Sequence, residues 1–147
     1  MNVELTYKKR KRVMKKFLIA LTVLGLAACS STPKNINDDK VFYEFDSAHV
    51  SDAARRDLKA QSRYMKRNSD VNVIMEGHCD ERGSTEYNLA LGALRAGNAA
   101  HVLIHDGIEP ERIKTISYGK ENPQYLGTGE EVWAKNRNAT TKVVEKK

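Results

Sequence analysis

The hydrophobic and polar positions after residue 40 predict four strands and two main helices. Short apolar or alternating runs, typical of strands, occur at 41–45 (continuing to 46), 71–76, 113–118 and 137–144. Apolar residues at helical spacing predict one helix from a Ser51 cap to about residue 67, and a second that begins at Ser84 or Thr85 and ends near Asp106. Gly107 then takes the left-handed position that ends the second helix.

The order of these elements predicts the fold class. A loop rich in Gly, Asn and Pro at 119–130 and one helical turn at 131–136, which carries Trp133 and braces that loop, complete the order β-α-β-α-β-(α)-β. Such an order predicts an α/β sandwich in which both main helices cover one face of a mixed four-stranded sheet.

The first 28 residues follow a different pattern. Residues 8–16 are positively charged, and residues 17–28 form an apolar run. Twelve residues would rise roughly 18 Å as a helix, which is too short for the ~30 Å hydrocarbon core of a bilayer. A basic segment followed by a short apolar one predicts a secretory signal peptide at 1–28.

The end of this segment, Leu26-Ala27-Ala28-Cys29, resembles the lipobox of bacterial lipoproteins. The resemblance implies that Cys29 is acylated, which would provide a stable membrane anchor. The alternative is an ordinary secretory signal with an incidental cysteine. Residues 29–40 would be the acylated cysteine and a short flexible tether, and the absence of an acid after Cys29 favours delivery to the outer membrane. Met14 would itself open a compact lipoprotein signal, so translation could start at Met1 or at Met14.

The positive charge of the chain belongs to this N-terminal segment. The formal net charge is +6, but seven Lys or Arg and only one acid, Glu4, precede Cys29. Removing these from the 25 basic and 19 acidic residues leaves 18 of each. A chain that is neutral after residue 28 offers no general phosphate-binding face, so nucleic acid is not the expected partner.

Residues 71–96 combine a strand, a loop and a helix, and they carry the candidate chemistry. Asp80 would lie in the loop at the carboxyl end of the strand, and Arg95 about three turns into the following helix. Gly77 is expected to allow a sharp turn, and Gly83 a second positive φ angle. An acid and a base that face one pocket would suit a zwitterion. The alternative is an ordinary Asp–Arg pair on the surface.

This stretch resembles the peptidoglycan-binding signature of the OmpA-like domain, G-H-x-D-x-x-G, then N-x-x-L, then R-A. The matching residues are Gly77, His78, Asp80, Gly83, Asn88, Leu91, Arg95 and Ala96. Phe45-Asp46 resembles the end of the first strand of that family, and Gly119 and Pro123 resemble its G-x-x-x-P loop. The resemblance runs from about residue 41 to residue 144, so residues 41–147 are expected to form one such domain.

The resemblance implies a function and a site. Members of the family bind the free amino-acid end of meso-diaminopimelate in the stem peptide of peptidoglycan. Asp80 would take the ammonium group and Arg95 the carboxylate, while Leu91 and Phe45 would shield the methylene chain and Asp46 would border the pocket. Gly77, His78, Gly83, Asn88, Ala96 and Arg137 are expected to support the motif.

The resemblance also implies the setting of the protein. Its lipid-anchored members tether the outer membrane to the cell wall, act with TolB and other Tol proteins, and take part in envelope integrity and cell division. We therefore expect a non-enzymatic, lipid-anchored protein of the outer membrane, with its domain in the periplasm and no cofactor. The alternatives are a lipoprotein enzyme that acts on the wall and a structural assembly lipoprotein that binds protein rather than wall.

Two positions depart from the family pattern. The usual closing N-R-R is Asn136-Arg137-Asn138 here, so a second arginine is missing and a weaker last strand is expected. Cys79 replaces a small residue or threonine, and we expect it to be mostly buried beside the pocket and inert.

The chain shows no pattern of a metal or catalytic centre. His78, Cys79 and Asp80 are adjacent, so their side chains are not expected to converge on one ion, and His101 and His105 have no evident third ligand. No nucleophile, base and acid follow a known catalytic order. We expect His78 to form a hydrogen bond with the loop backbone instead of titrating in function.

Overall fold

The computed structural model describes residues 35–145. The predicted signal peptide, the acylation site Cys29 and the first part of the tether lie outside the described residues. The strands are β1 (Lys40–Phe42), β2 (Val71–His78), β3 (Ile113–Gly119) and β4 (Asn138–Glu145), and the α-helices are α1 (Asp52–Arg67), α2 (Thr85–His105) and α3 (Glu130–Asn136). A 3₁₀ turn at Pro110–Arg112 precedes β3.

The four strands form one mixed sheet in the order β1-β4-β2-β3. β2 runs parallel to β3, whereas β4 runs antiparallel to both β1 and β2. Apolar residues of α1, α2 and β2 meet in one core, which confirms the predicted α/β class. Its fully buried members include Leu58, Met65, Met75 and Leu103.

The helix ends lie where the capping residues predict. The Ser51 hydroxyl accepts a hydrogen bond from the Ala54 amide, and the Ser84 hydroxyl accepts one from the Tyr87 amide. Gly107, just after α2, has φ +93°, as predicted for a left-handed helix end. Because α2 begins one short loop after β2, its first turns stand directly above the carboxyl end of that strand.

The first strand is shorter than predicted. β1 ends at Phe42, opposite Asn138 of β4, and does not continue to Asp46. The Tyr43 amide still donates to the Arg137 carbonyl, but the chain then leaves the sheet and Asp46 has φ +54°. This departure carries Phe45 and Asp46 away from the sheet and toward the start of α2.

The polar residues of β4 are buried and hydrogen-bonded. The Asn138 side-chain amide donates to Gln124 and to the Lys135 carbonyl, and the Thr141 hydroxyl donates to Gln61 at 2.7 Å. β4 also pairs along both of its edges, with β1 and with β2. The structure thus shows an interior strand whose polar groups are hydrogen-bonded, and the weaker last strand expected from Asn138 stays a prediction.

Gly77 has a different role from the sharp turn predicted for it. It lies within β2, and a Cβ atom placed on it would lie 1.8 Å from the carbonyl oxygen of Gly92 in α2. Only glycine therefore allows β2 and α2 to approach so closely here. Gly83 does have a positive φ, +89°, as predicted.

Candidate functional site

A cleft of about 230 Å³ opens at the carboxyl end of β2, and we call it the Asp80 cleft. It is lined by the loop after β2, by the first turns of α2 and by the segment that follows β1. All five residues predicted to bind the ligand line it: Phe45, Asp46, Asp80, Leu91 and Arg95. The strand, loop and helix therefore bring the predicted acid and base to one cavity.

Asp80 is buried and held by two arginines. Its side chain is 5% exposed. Arg82 donates to both carboxylate oxygens, from Nε to Oδ1 at 3.1 Å and from Nη2 to Oδ2 at 2.7 Å, and Arg137 Nη1 lies 3.3 Å from Oδ2. Burial alone would raise the pKa of Asp80, but hydrogen bonds from Arg82 and Arg137 hold it below its ordinary value. The carboxylate is therefore charged at neutral pH.

Arg95 is almost fully buried and bonded to the backbone. Its Nε donates to the Ser47 carbonyl and its Nη1 to the His78 carbonyl, both at 2.8 Å, and Nη2 donates to the Glu44 carbonyl at 3.2 Å. A guanidinium has five N–H groups, so at most two remain for a ligand. Burial lowers the pKa of Arg95, but a guanidinium in a protein keeps its positive charge.

The two residues do not form the ordinary surface pair that was the alternative reading. Asp80 is 4% exposed and Arg95 is 1% exposed. Within residues 35–145, none of the ion pairs joins them. Each is bound by other groups, and both face the Asp80 cleft.

Asp46 and Tyr87 lie on the rim of the cleft. Asp46 is exposed and accepts a hydrogen bond from the Tyr87 hydroxyl, which raises the pKa of that phenol. The sequence analysis does not identify Tyr87 as a site residue. Its position as the third residue of α2 places it near the loop after β2. The rim therefore carries a second carboxylate that is open to solvent.

Arg82 is the main site residue that the sequence did not indicate. Its guanidinium lies between two aromatic rings, 4.0 Å from the ring centre of Phe45 and 4.2 Å from that of Trp133. Trp133 also donates from Nε1 to Glu81 at 2.8 Å. The tryptophan thus braces the loop after β2, besides standing beside the 119–130 loop where it was predicted to act.

The supporting residues hold the loop in place. The Asn88 side-chain amide donates to the carbonyls of Arg82 and Ser84, at 2.7 and 2.9 Å. Arg137 donates to the Tyr43 carbonyl as well as to Asp80, while Ala96 is fully buried in the core. Cys79 is buried, as predicted, and burial raises the pKa of its thiol; its inertness remains a prediction.

His78 lies beneath the cleft in a buried polar network. Its ring stacks on Tyr118 with 5.4 Å between ring centres, and Nε2 lies 3.0 Å from the side-chain amide nitrogen of Gln124. Burial lowers the pKa of His78, an effect partly offset by the backbone of Asn122. The imidazole is therefore neutral at pH 7.

We expect His78 to make the fold sensitive to mild acid. In the unfolded chain a histidine takes up a proton below about pH 6.5, whereas folded His78 stays neutral to a lower pH. The unfolded state then binds more protons, so the free energy of unfolding falls as the pH drops below about 6.5, by at most about 1.4 kcal/mol per pH unit. Urea unfolding between pH 5 and 7.5 should show a shallower decline in His78→Gln than in the wild type.

The matched control for this prediction is His49→Gln, because His49 is exposed. The control should keep the slope of the wild type. Identical slopes in all three proteins would mean that His78 does not contribute to the acid sensitivity.

Two structural features are absent from residues 35–145. No group of three or more His, Cys, Asp or Glu side chains there is arranged to hold a metal ion. No helix in the same range is both long enough and apolar enough to cross a bilayer.

The sequence is similar to those of known proteins over most of its length. A model of the OmpA family matches residues 42–137. The chain is 39% identical over 125 residues to the peptidoglycan-associated lipoprotein of Mesorhizobium japonicum, a match that covers 80% of this chain and 74% of that protein. It is 33% identical over 145 residues to the peptidoglycan-associated lipoprotein of Pasteurella multocida, with 88% and 97% covered.

Solved structures are similar as well. The crystal structure of the peptidoglycan-associated lipoprotein from Burkholderia pseudomallei has 36% identity and a TM-score of 0.69, and the match covers 71% of this chain and 89% of that one. The C-terminal domain of Helicobacter pylori MotB has 21% identity and a TM-score of 0.68, with 74% and 85% covered. The second match concerns the fold alone.

Proposed function

Because this chain belongs to the OmpA family, we propose that it is a non-enzymatic envelope lipoprotein whose domain binds the stem peptide of peptidoglycan without a covalent bond. The observation that carries the proposal is the Asp80 cleft, in which a charged acid, a charged base and two apolar side chains meet. The names of the relatives, peptidoglycan-associated lipoproteins, support the same ligand.

The proposed ligand is the free amino-acid end of meso-diaminopimelate. This group carries an ammonium and a carboxylate on one carbon atom, at the end of a methylene chain. Asp80 would accept hydrogen bonds from the ammonium, with Asp46 as a second acceptor at the rim. The remaining N–H groups of Arg95 would bind the carboxylate, and Leu91 and Phe45 would cover the methylene groups.

The strength of such binding would be moderate. Hydrogen bonds to charged groups contribute about 1.5–3 kcal/mol each, and the ligand must first be desolvated. Many copies on one membrane, bound to one continuous wall, would add by avidity. Reversible single contacts are therefore compatible with a firm attachment of the membrane to the wall.

The remaining parts of the proposal rest on the resemblance to the family. Acylated Cys29 would anchor the chain in the outer membrane, and residues 30–40 would hold the domain in the periplasm. TolB and other Tol proteins would be its protein partners in a Tol-Pal-type system that serves envelope integrity and cell division.

Co-sedimentation with purified sacculi tests the proposal. The soluble fragment 30–147 should sediment with diaminopimelate-type walls and not with lysine-type walls, because lysine lacks the second carboxylate. Asp80→Asn removes the charge but keeps the shape, and it should raise the apparent dissociation constant at least tenfold, which corresponds to about 1.4 kcal/mol. Asp46→Asn should show a smaller loss.

The control variant is Asp70→Asn, because Asp70 is exposed and lies outside the cleft. Equal sedimentation of Asp80→Asn and the wild type would mean that the cleft is not the site. Release of soluble muropeptides by the fragment would favour a wall enzyme. A folded fragment that never sediments would favour a lipoprotein that binds protein.

A further inference from the structure

The hydrogen-bond acceptor positions of the Asp80 carboxylate are all occupied by protein donors in this structure. A carboxylate offers about four lone-pair positions. Oδ1 accepts the backbone N–H and Nε of Arg82, both at 3.1 Å, and Oδ2 accepts Nη2 of Arg82 at 2.7 Å and Nη1 of Arg137 at 3.3 Å. A ligand cation can therefore bind Asp80 only after one of these arginine side chains withdraws.

Arg82 is the arginine that can withdraw. Its side chain is 31% exposed, and apart from Asp80 its only ion-pair contact within the described residues is with Glu130, at 3.9 Å. Arg137 is 5% exposed and also binds the Tyr43 carbonyl at 3.1 Å and Glu130 at 2.6 Å. Rotation of Arg82 into solvent frees one position on each oxygen of Asp80, whereas withdrawal of Arg137 would break a buried network.

The space that the Arg82 guanidinium occupies has the surroundings that favour a cation. The rings of Phe45 and Trp133 flank its guanidinium at 4.0 and 4.2 Å, and the faces of aromatic rings attract cations. Phe45 is 58% exposed, so this space is open to solvent on one side. If Arg82 withdrew, the space between the two rings would be empty and would adjoin two free acceptor positions on Asp80. Such a space suits the ammonium group of a ligand.

We propose that Arg82 is a resident cation that determines the specificity of the Asp80 cleft: it occupies the position of the ligand's ammonium, and a ligand reaches Asp80 only by supplying a cation in its place. This inference rests on the proposed function, since it describes how the ammonium of the diamino acid is admitted. The binding-competent form is the fraction of molecules in which Arg82 has withdrawn. The apparent affinity is reduced by that fraction, so loss of the Arg82 side chain increases it.

Calorimetric titration with meso-diaminopimelic acid tests this inference. The full-length protein is kept in a nonionic detergent, and pimelic acid, which has the same chain and carboxylates but no amino groups, is the comparison ligand. Arg82→Ala should bind the diamino acid about tenfold more tightly than the wild type. Arg82→Gln, which keeps a polar side chain without the charge, should show a similar gain, and neither variant should bind pimelic acid. Arg56→Ala, at an exposed position of α1, should bind like the wild type.

The single tryptophan supplies a second readout. Diaminopimelic acid should change the fluorescence of Trp133 in the wild type, because Arg82 leaves its ring. Arg82→Ala should already emit at a different intensity without ligand, while its thermal unfolding confirms that it is folded. A smaller or absent gain in affinity, with a wild type that binds, would overturn the role of Arg82 and leave the proposed function in place. If neither variant nor the wild type binds the amino acid or sediments with sacculi, both proposals fail.

Discussion

Replacement of Arg95 by methionine should destabilise the domain by about 3–5 kcal/mol, besides any effect on binding. Three backbone carbonyls, those of Glu44, Ser47 and His78, accept hydrogen bonds from this one guanidinium. Methionine fills a similar volume but donates nothing, so these carbonyls would lose their charged partner in a largely buried place. Part of the loss is offset because the guanidinium no longer has to be desolvated.

The size of this effect decides how binding data on Arg95 can be read. A domain of this size is typically stable by about 5–15 kcal/mol, so Arg95→Met would lose a large share of its stability. Loss of wall binding in such a variant would not by itself identify a ligand contact. For that reason Asp80→Asn, and not a truncation of Arg95, is the primary variant in the sedimentation experiment.

Urea unfolding of the fragment 30–147 measures the prediction. Arg56→Met replaces an exposed arginine of α1 by the same residue, and its free energy of unfolding should stay within about 0.5 kcal/mol of the wild type. If Arg95→Met unfolds at the same urea concentration as that control, the guanidinium is not a structural anchor. In that case all five N–H groups of Arg95 would be available to a ligand.

The sequence predicts most of the fold because the periods of its apolar residues are clear. The strand at 71–76, the serine caps and the Gly107 helix end depend on local chemistry, which the sequence shows directly. The meeting of Asp80 and Arg95 in one cleft also follows from local order, since a strand, a short loop and a helix bring them to the same edge of the sheet. The largest differences are at the ends of two strands: β1 ends at Phe42, before the turn at Asp46, and β2 continues to His78. The turn at Asp46 depends on contacts made elsewhere in the fold, such as its hydrogen bond from Tyr87.

The parts that the sequence does not predict depend on contacts between distant segments. Arg82 meets Phe45 and Trp133 only in the folded domain, where they lie 37 and 51 residues away along the chain. From the sequence, Asn138 is a polar residue that departs from the family pattern. Only the structure shows that it is buried and donates a hydrogen bond to Gln124. Gly77 suggests a turn by its residue type. In the structure a glycine is needed there because the backbone of α2, a helix that begins eight residues later, lies too close for a side chain.

Replacement of Gly77 by alanine should therefore cost about 3 kcal/mol or more and should disturb the Asp80 cleft. The added Cβ would lie 1.8 Å from the Gly92 carbonyl oxygen and 2.6 Å from its carbonyl carbon. These are backbone atoms of α2, so no side chain can rotate away, and β2 and α2 must move apart. Overpacking in a core typically costs about 1–3 kcal/mol, and a contact with fixed backbone belongs at the upper end or beyond it. Separation of the two elements would also shift Arg95 and Asp80 relative to each other.

The chain offers a matched control for this substitution in Gly97→Ala. Gly97 lies on the exposed side of α2, with no atom within 4 Å of a Cβ placed on it. Alanine is favoured over glycine inside a helix by about 0.5–1 kcal/mol, so this variant should be more stable than the wild type and should sediment with sacculi equally well. The free energy of unfolding in urea should thus fall in Gly77→Ala and rise in Gly97→Ala. Sacculus binding should fall in Gly77→Ala and stay unchanged in Gly97→Ala. If Gly77→Ala were as stable as Gly97→Ala, the close contact between β2 and α2 would not be what holds the Asp80 cleft in shape.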